Sequence, residues 1–161
     1  MSRGDDASPF EVREDDLSSD PVQALLRLHL QGMHASSPPG TVFALDLAGL
    51  KAPGVTVWTA WLGETLAGIA ALKDLGERAG EVKSMRTHPE FLRRGVAAAL
   101  LRHIIQVARG RGMTRLSLET GTGPAFEPAL ALYRRHGFVD GEPFAEYRPG
   151  DFNQFLHLSL E

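Results

Sequence analysis

The stretch MRTHPEFLRRGVAAALL, Met85 to Leu101, decides the reading of this chain. A strand ends near Thr87, Pro89 closes it, and Leu92-Arg93-Arg94-Gly95 forms a tight loop from which a helix starts at once. Ala97, Leu100, Leu101, Ile104, Val107 and Ala108 fall on one face of that helix, with Arg102, Gln106 and Arg109 on the other. This periodicity predicts an amphipathic helix from Gly95 to about Arg111. No side chain is offered as a cap, so the first turn, Gly95-Val96-Ala97-Ala98, leaves its backbone N–H groups uncovered, and the small residues let a ligand approach them. With the helix dipole and with Arg93 and Arg94 alongside, the loop reads as a pyrophosphate cradle. The plainer alternative is a strand-to-helix connection that needs glycine only for its turn.

Working outward, PFEVRE (9–14) reads as a first strand, and Ser19 or Asp20 can cap a helix with Pro21 in its first turn. Val22, Leu25, Leu26, Leu28 and Met33 carry that helix to about residue 34, and Pro38-Pro39-Gly40 stops it. A short second helix is expected at about 43–50. VTVWTAWL (55–62), the turn Gly63-Glu64 and TLAGIAALKDL (65–75) read as an antiparallel hairpin. A turn over 75–80 leads to a fourth strand, EVKSMRT (81–87). RLSLET (115–120) is a fifth strand, FEPALALYRRH (126–136) a short helix closed by Gly137, and FNQFLHLSL (152–160) a terminal strand. The order predicts a mixed α/β sheet flanked by helices on both faces, in a single domain over 9–161 behind a flexible acidic tail at 1–8.

Composition bounds the function. With 161 residues, 43% of them hydrophobic and 23% charged, this is an ordinary folded domain rather than a disordered or fibrous chain. No apolar run approaches the roughly 18–20 residues that span a bilayer, and MSRGDDASPF is acidic where a leader would be basic, so the expectation is a cytoplasmic protein without membrane contact. The absence of cysteine excludes disulfides, thiolate metal sites and an acyl-cysteine intermediate. His29, His34, His88, His103, His136 and His157 show no metal-ligand spacing, so no metal is expected. The net charge of −3 conceals a segregation: Lys83 to Arg115 holds eight basic residues and one acid, a net of +7, against −10 in the remainder. Such an island suits a discrete anionic ligand better than a nucleic acid, although a solvated arginine-rich helix face would look the same.

Pro89 followed by Arg93-Arg94-Gly95-Val96-Ala97, and then Ala129-Leu130-Ala131-Leu132-Tyr133-Arg134-Arg135-His136-Gly137-Phe138 after an intervening strand, resembles the two signatures of the GCN5-related N-acetyltransferase (GNAT) superfamily. Leu92 stands where the first signature has Arg or Gln, and Phe126 where the second often has Asn. The likeness runs from about Pro9 to Leu160 and points to small stand-alone bacterial acetyltransferases. It implies the α+β GNAT fold: a mostly antiparallel sheet of six or seven strands, splayed between strands four and five to admit acetyl-CoA. It further implies that backbone groups of Met85, Arg86 and Thr87 hold the pantetheine arm, that residues Arg93, Arg94, Gly95, Val96, Ala97 and Ala98 hold the phosphates, and that Tyr133 is the general acid. Glu81 falls where the histone-acetylating branch carries its base, with Glu119 as the rival. His34, Ser36 and Ser37 belong to the region that walls the acceptor site in this fold.

The implied activity is acetyl-CoA-dependent transfer, by direct attack, to the amine of a small molecule. A protein or peptide acceptor, or a non-catalytic acyl-CoA-binding module, is the alternative, and the chain is a monomer or homodimer.

Overall fold

The computed structural model describes residues 9–36, 47–145, 147, 150 and 153–161, with the backbone alone at 29–36, 47, 48 and 125. The elements run β1 (Glu11–Glu14), α1 (Asp20–Ser36), α2 (Leu47–Leu50), β2 (Val55–Leu62), β3 (Thr65–Gly76), β4 (Ala79–Thr87), α3 (Val96–Gly110), β5 (Arg115–Gly121), α4 (Glu127–Arg135), β6 (Val139–Gly141) and β7 (Asn153–Ser159). They build one seven-stranded sheet in the order β1-β2-β3-β4-β5-β7-β6, in which every neighbouring pair is antiparallel except β4 and β5.

Each face of the sheet has its own core, as the alternation of the strands demands. On one face Ala70, Leu72, Val82, Leu116, Leu118, Leu156 and Leu158 pack against Val96, Leu100, Leu101 and Ile104 of α3 and against Leu130 and Tyr133 of α4. On the other, Val57, Leu66, Ile69 and Ala71 pack against Val22, Leu25 and Leu26 of α1 and Leu50 of α2. The two hydrophobic stripes of α1 and α3 thus anchor on opposite sides of β3.

The expected elements recur with adjusted edges. The turn between β3 and β4 is only Glu77-Arg78, both with positive φ (55° and 64°), so the two strands extend further toward each other than a reading of 75–80 as turn allows. That geometry usually falls on glycine or asparagine, and here only Gly76, just before the pair, is a glycine with positive φ (84°). Strand β6 is three exposed residues, too short to show an alternating pattern. Residues 43–46 of the expected second helix lie outside the described residues.

The basic island is also redistributed. Lys83 is buried in an ion pair, and Arg111 stacks 5.8 Å from the Trp58 ring while donating to Thr56 Oγ1 at 3.1 Å. Arg93 and Arg94 stand at the opposite end of α3, about 22 Å away for 15 residues at about 1.5 Å each. The charge does not converge on one spot.

Strands β4 and β5 pair only over Ala79–Glu81 and Arg115–Ser117, and then part. From Val82 to Thr87 the β4 edge toward β5 has no strand partner among the described residues, and β5 from Leu118 onward pairs only with β7. Gly68, opposite Thr87, lets α3 sit close to this opening: a Cβ there would lie 2.6 Å from Val96 Cγ1 and 3.0 Å from the Arg86 carbonyl oxygen. Gly68→Ala should therefore lower stability by about 1–3 kcal/mol, measured by urea denaturation.

Candidate active site

The opening carries a backbone irregularity. Lys83 pairs with Ala71 and Arg86 with Ile69, so three steps on β4 match two on β3, and the extra residue makes a bulge at Ser84 and Met85. Ser84 takes a left-handed φ of 56°, and its Oγ is sealed from solvent without a hydrogen-bond partner. The bulge resets the alternation. Glu81, Lys83 and Arg86 share the face of Ile69 and Ala71, while Met85 packs into the core under α3. Simple alternation from Glu81 would put Met85 and Thr87 on its face; the extra residue moves Arg86 there instead.

At the N-terminus of α3, Gly95 is the cap residue with φ 90°, and no side chain caps the helix. A Cβ at Gly95 would meet nothing within 4 Å, so the approach to the first-turn amides is open. Arg93 is held at φ 65°, and the Arg94 guanidinium lies 4.9 Å from the Phe91 ring centroid. Exposed amides, a left-handed glycine and two exposed arginines form a setting that accepts a bound anion such as a pyrophosphate.

On the face of α1, the closed end of the wedge holds a buried polar cluster. Glu81 sits beside Ser117 in the parallel pair and is 3% exposed. Its Oε2 accepts from Lys83 Nζ at 3.0 Å and from the Tyr147 hydroxyl, and Lys83 Nζ also donates to the Tyr147 oxygen at 2.7 Å. A buried carboxylate and a buried ammonium are tolerable only as such a hydrogen-bonded pair. Tyr147 arrives from the segment after β6, which folds back over this face. His157 accepts or donates at Nδ1 against Ser117 Oγ (2.7 Å) and donates from Nε2 to the Glu142 carbonyl (2.8 Å), while Phe144 packs edge-on against Phe155 and His157. Sequence reasoning missed Tyr147, since only the folded segment brings it to Glu81.

Glu119 lies two residues beyond Ser117, on the same face of β5 where the strands have parted. Burial raises its carboxyl from 4.5 to about 7, with the Glu81 charge adding to the rise and the Asn153 hydrogen bond and Lys83 opposing it. The two candidate bases are thus placed differently: Glu81 has one oxygen held by two donors, and Glu119 is half-buried at the open end.

Tyr133 is buried in the core beside Phe138, at 5.9 Å between ring centroids, and burial lifts its hydroxyl to about 12. That hydroxyl has no hydrogen-bond partner among the described residues, yet it is not among the sealed, unpaired atoms, so it keeps an opening to solvent. His34 and Ser36 fall in the last turns of α1, where the backbone alone is described, and Ser37 lies outside the described residues. No group of three or more His, Asp or Glu that could hold a metal occurs among the described residues, and no helix there is long and apolar enough to cross a membrane.

Comparison with known proteins bears on this geometry. Residues 22–138 match the sequence model of the Acetyltransferase (GNAT) family. Curated relatives include the uncharacterized N-acetyltransferase YedL of Escherichia coli K12, 53% identical over 94% of this chain and 95% of its own, and the uncharacterized N-acetyltransferase YsnE of Bacillus subtilis, 50% identical over 94% and 100%. An IAA acetyltransferase of Azospirillum brasilense is 35% identical over 72% of this chain and 75% of its own. Among solved structures, a putative acyl-CoA N-acyltransferase of Klebsiella pneumoniae superposes with a TM-score of 0.76 at 22% identity, covering 94% of this chain and 98% of its own. A Bacillus subtilis acetyltransferase solved in complex with CoA superposes with a TM-score of 0.70 at 18% identity, covering 93% and 98%.

The cluster can be read by titration. Carboxyl NMR should show Glu119 titrating near 7, and Glu119→Gln should remove that signal. Glu81→Gln should move the midpoint down, because it takes away a neighbouring negative charge, and Lys83→Met should move it up.

Proposed function

The chain belongs to the Acetyltransferase (GNAT) family and is an acyl-CoA-dependent N-acetyltransferase, and from that premise we propose that it moves an acetyl group from acetyl-CoA to the amine of a small molecule, with Glu119 as the base. The observation that carries the assignment of the base is the placement of Glu119 at the open end of the β4–β5 wedge with a carboxyl near 7. A base that titrates near the working pH is suited to draw a proton from an ammonium. Glu81, clamped by Lys83 and Tyr147, serves in this reading to hold the wedge and to tune Glu119.

The fit to acetyl-CoA rests on two features of the chain. The unpaired edge of β4 at Met85, Arg86 and Thr87 can take an extended arm as an added strand, and Arg93, Arg94, Gly95, Val96, Ala97 and Ala98 offer amides and positive charge to phosphates. When bound, acetyl-CoA supplies an acetyl group on a thioester carbon. Glu119 takes a proton from the incoming ammonium and releases it to solvent, the freed amine nitrogen bonds to the acetyl carbon, the carbon–sulfur bond breaks with its electron pair leaving on sulfur, and the nitrogen gives its second proton to Glu119 as the amide forms. Tyr133 faces the departing thiolate with its hydroxyl protonated at all working pH values. With no cysteine in the chain, no acyl-cysteine intervenes. Acetyl-CoA is a cytoplasmic metabolite, and a cytoplasmic location accompanies this reading.

Acetyl-CoA at about 100 times its Kd should stabilise the protein by about 2.7 kcal/mol in thermal unfolding, with smaller shifts from ATP and NADH. Gly95→Asp should abolish that shift; equal shifts from all three ligands would overturn the assignment. Glu119→Gln should lower kcat/KM by roughly 10²–10⁴-fold and remove the acidic limb, whose rate rises with pH as the carboxyl ionises. Tyr133→Phe should lower kcat by roughly 10–10³-fold with acetyl-CoA affinity nearly unchanged. CoA release with a panel of amines separates an enzyme from a module that only binds acyl-CoA.

A further inference from the structure

Arg86 is a cation in an unusual position. The bulge places it on the face of Glu81 and Lys83, four ladder steps beyond Glu81 toward the open end of the wedge, about 13 Å at about 3.3 Å per residue. It is half-buried, and among the described residues its guanidinium has no hydrogen-bond, ion-pair or ring partner. Its neighbours are otherwise satisfied. Lys83 is bound to Glu81 and Tyr147, and Lys73, opposite Glu81, stands at the closed end. A guanidinium without a protein counter-ion, on a side chain that is partly buried, is free to pair with an incoming anion.

That anion is not supplied by the cofactor's phosphates. Thr87 pairs with Gly68, whose missing Cβ points at Val96 and Leu100, so the α3 N-terminus lies on the opposite face of the sheet from Arg86. The Arg86 side chain and Glu119 instead share the face of the acceptor opening. Glu119 is two steps beyond Ser117, which is level with Glu81, so the two residues are offset by about 7 Å along strands that have parted at this level.

We propose that Arg86 is the specificity determinant for an acceptor that carries a carboxylate a few bonds from its amine, an amino-acid-type zwitterion whose carboxylate pairs with the guanidinium while its amine faces Glu119. The inference rests on the acetyltransferase reading and narrows its acceptor. The planar guanidinium fork matches a carboxylate with two parallel hydrogen bonds, which a carboxamide cannot reproduce.

The test compares free amino acids with their carboxamides as acceptors, at saturating acetyl-CoA, for the wild type, Arg86→Gln and Arg86→Lys. The ratio of kcat/KM for acid over amide cancels any loss common to both acceptors. It should be roughly 10–150 in the wild type, fall to about one in Arg86→Gln, and recover in part in Arg86→Lys, with the change carried mainly by KM. A wild-type ratio near one, or a ratio that survives Arg86→Gln, overturns the proposal and leaves the acetyltransferase reading standing. Acetyl-CoA that binds by calorimetry but is transferred to no acceptor overturns both.

Discussion

The short parallel pairing of β4 and β5 is the constraint on which the rest depends. Three residues on each strand pair and then stop, so two strand edges without a further strand partner among the described residues face each other across a wedge. Such edges normally invite aggregation or are covered. Here they lie inside the sheet, flanked by α3 on one face and by the segment that carries Tyr147 on the other. The bulge at Ser84 and Met85 belongs to the same device. A left-handed serine and a sealed, unpartnered hydroxyl are both unfavourable, and they occur where the strand must bend away from its neighbour.

The polar cluster at the closed end explains how the wedge keeps its shape without an apolar plug. Lys83 and Glu81 are too buried to be left single, and Tyr147 satisfies both, so the loop after β6 is tied to β4 across the parting strands. Burial of one partner without the other would leave an unpaired charge, which is why the three groups act as one unit. Electrostatically the unit sits beneath Glu119: its negative member raises the Glu119 carboxyl and its positive member lowers it, so the value near 7 is a balance set largely by burial.

Much of this was legible from the sequence because the signals were local. The amphipathic pattern from Val96 to Ala108, the uncapped Gly95 start and the hairpin at Gly63-Glu64 each depend on residues a few positions apart. A turn at 75–80 was legible but its narrowing to Glu77-Arg78 was not, since those left-handed residues are not glycines, and β6 was too short to show a period. The candidate site divided in the same way. Tyr133 and Gly95 were visible as motif positions, Glu81 by its spacing from the first motif and Glu119 by its place at the end of strand five, whereas the partnership of Glu81 with Tyr147 spans 66 residues and exists only after folding. The face of Arg86 was hidden for a subtler reason: one inserted residue reverses every side chain beyond it, and nothing in EVKSMRT marks where the insertion falls.

The two pKa values at the site point to an unequal division of work in the proposed reaction. A carboxyl near 7 is matched to taking a proton at neutral pH. A phenol near 12 is not matched to giving one to a thiolate, since an ordinary thiol titrates near about 8.5 and the transfer would run uphill by roughly three units. In the proposed reaction the Tyr133 hydroxyl therefore serves as a hydrogen-bond donor whose proton stays on oxygen while charge develops on sulfur, a role that its largely buried setting strengthens. On this proposal the thiolate takes its proton from solvent after departure, and both protons shed by the nitrogen leave by way of Glu119. In the proposed reaction the acidic limb of the rate profile accordingly belongs to Glu119 on β5, and a core tyrosine near 12 adds no limb of its own within the working range.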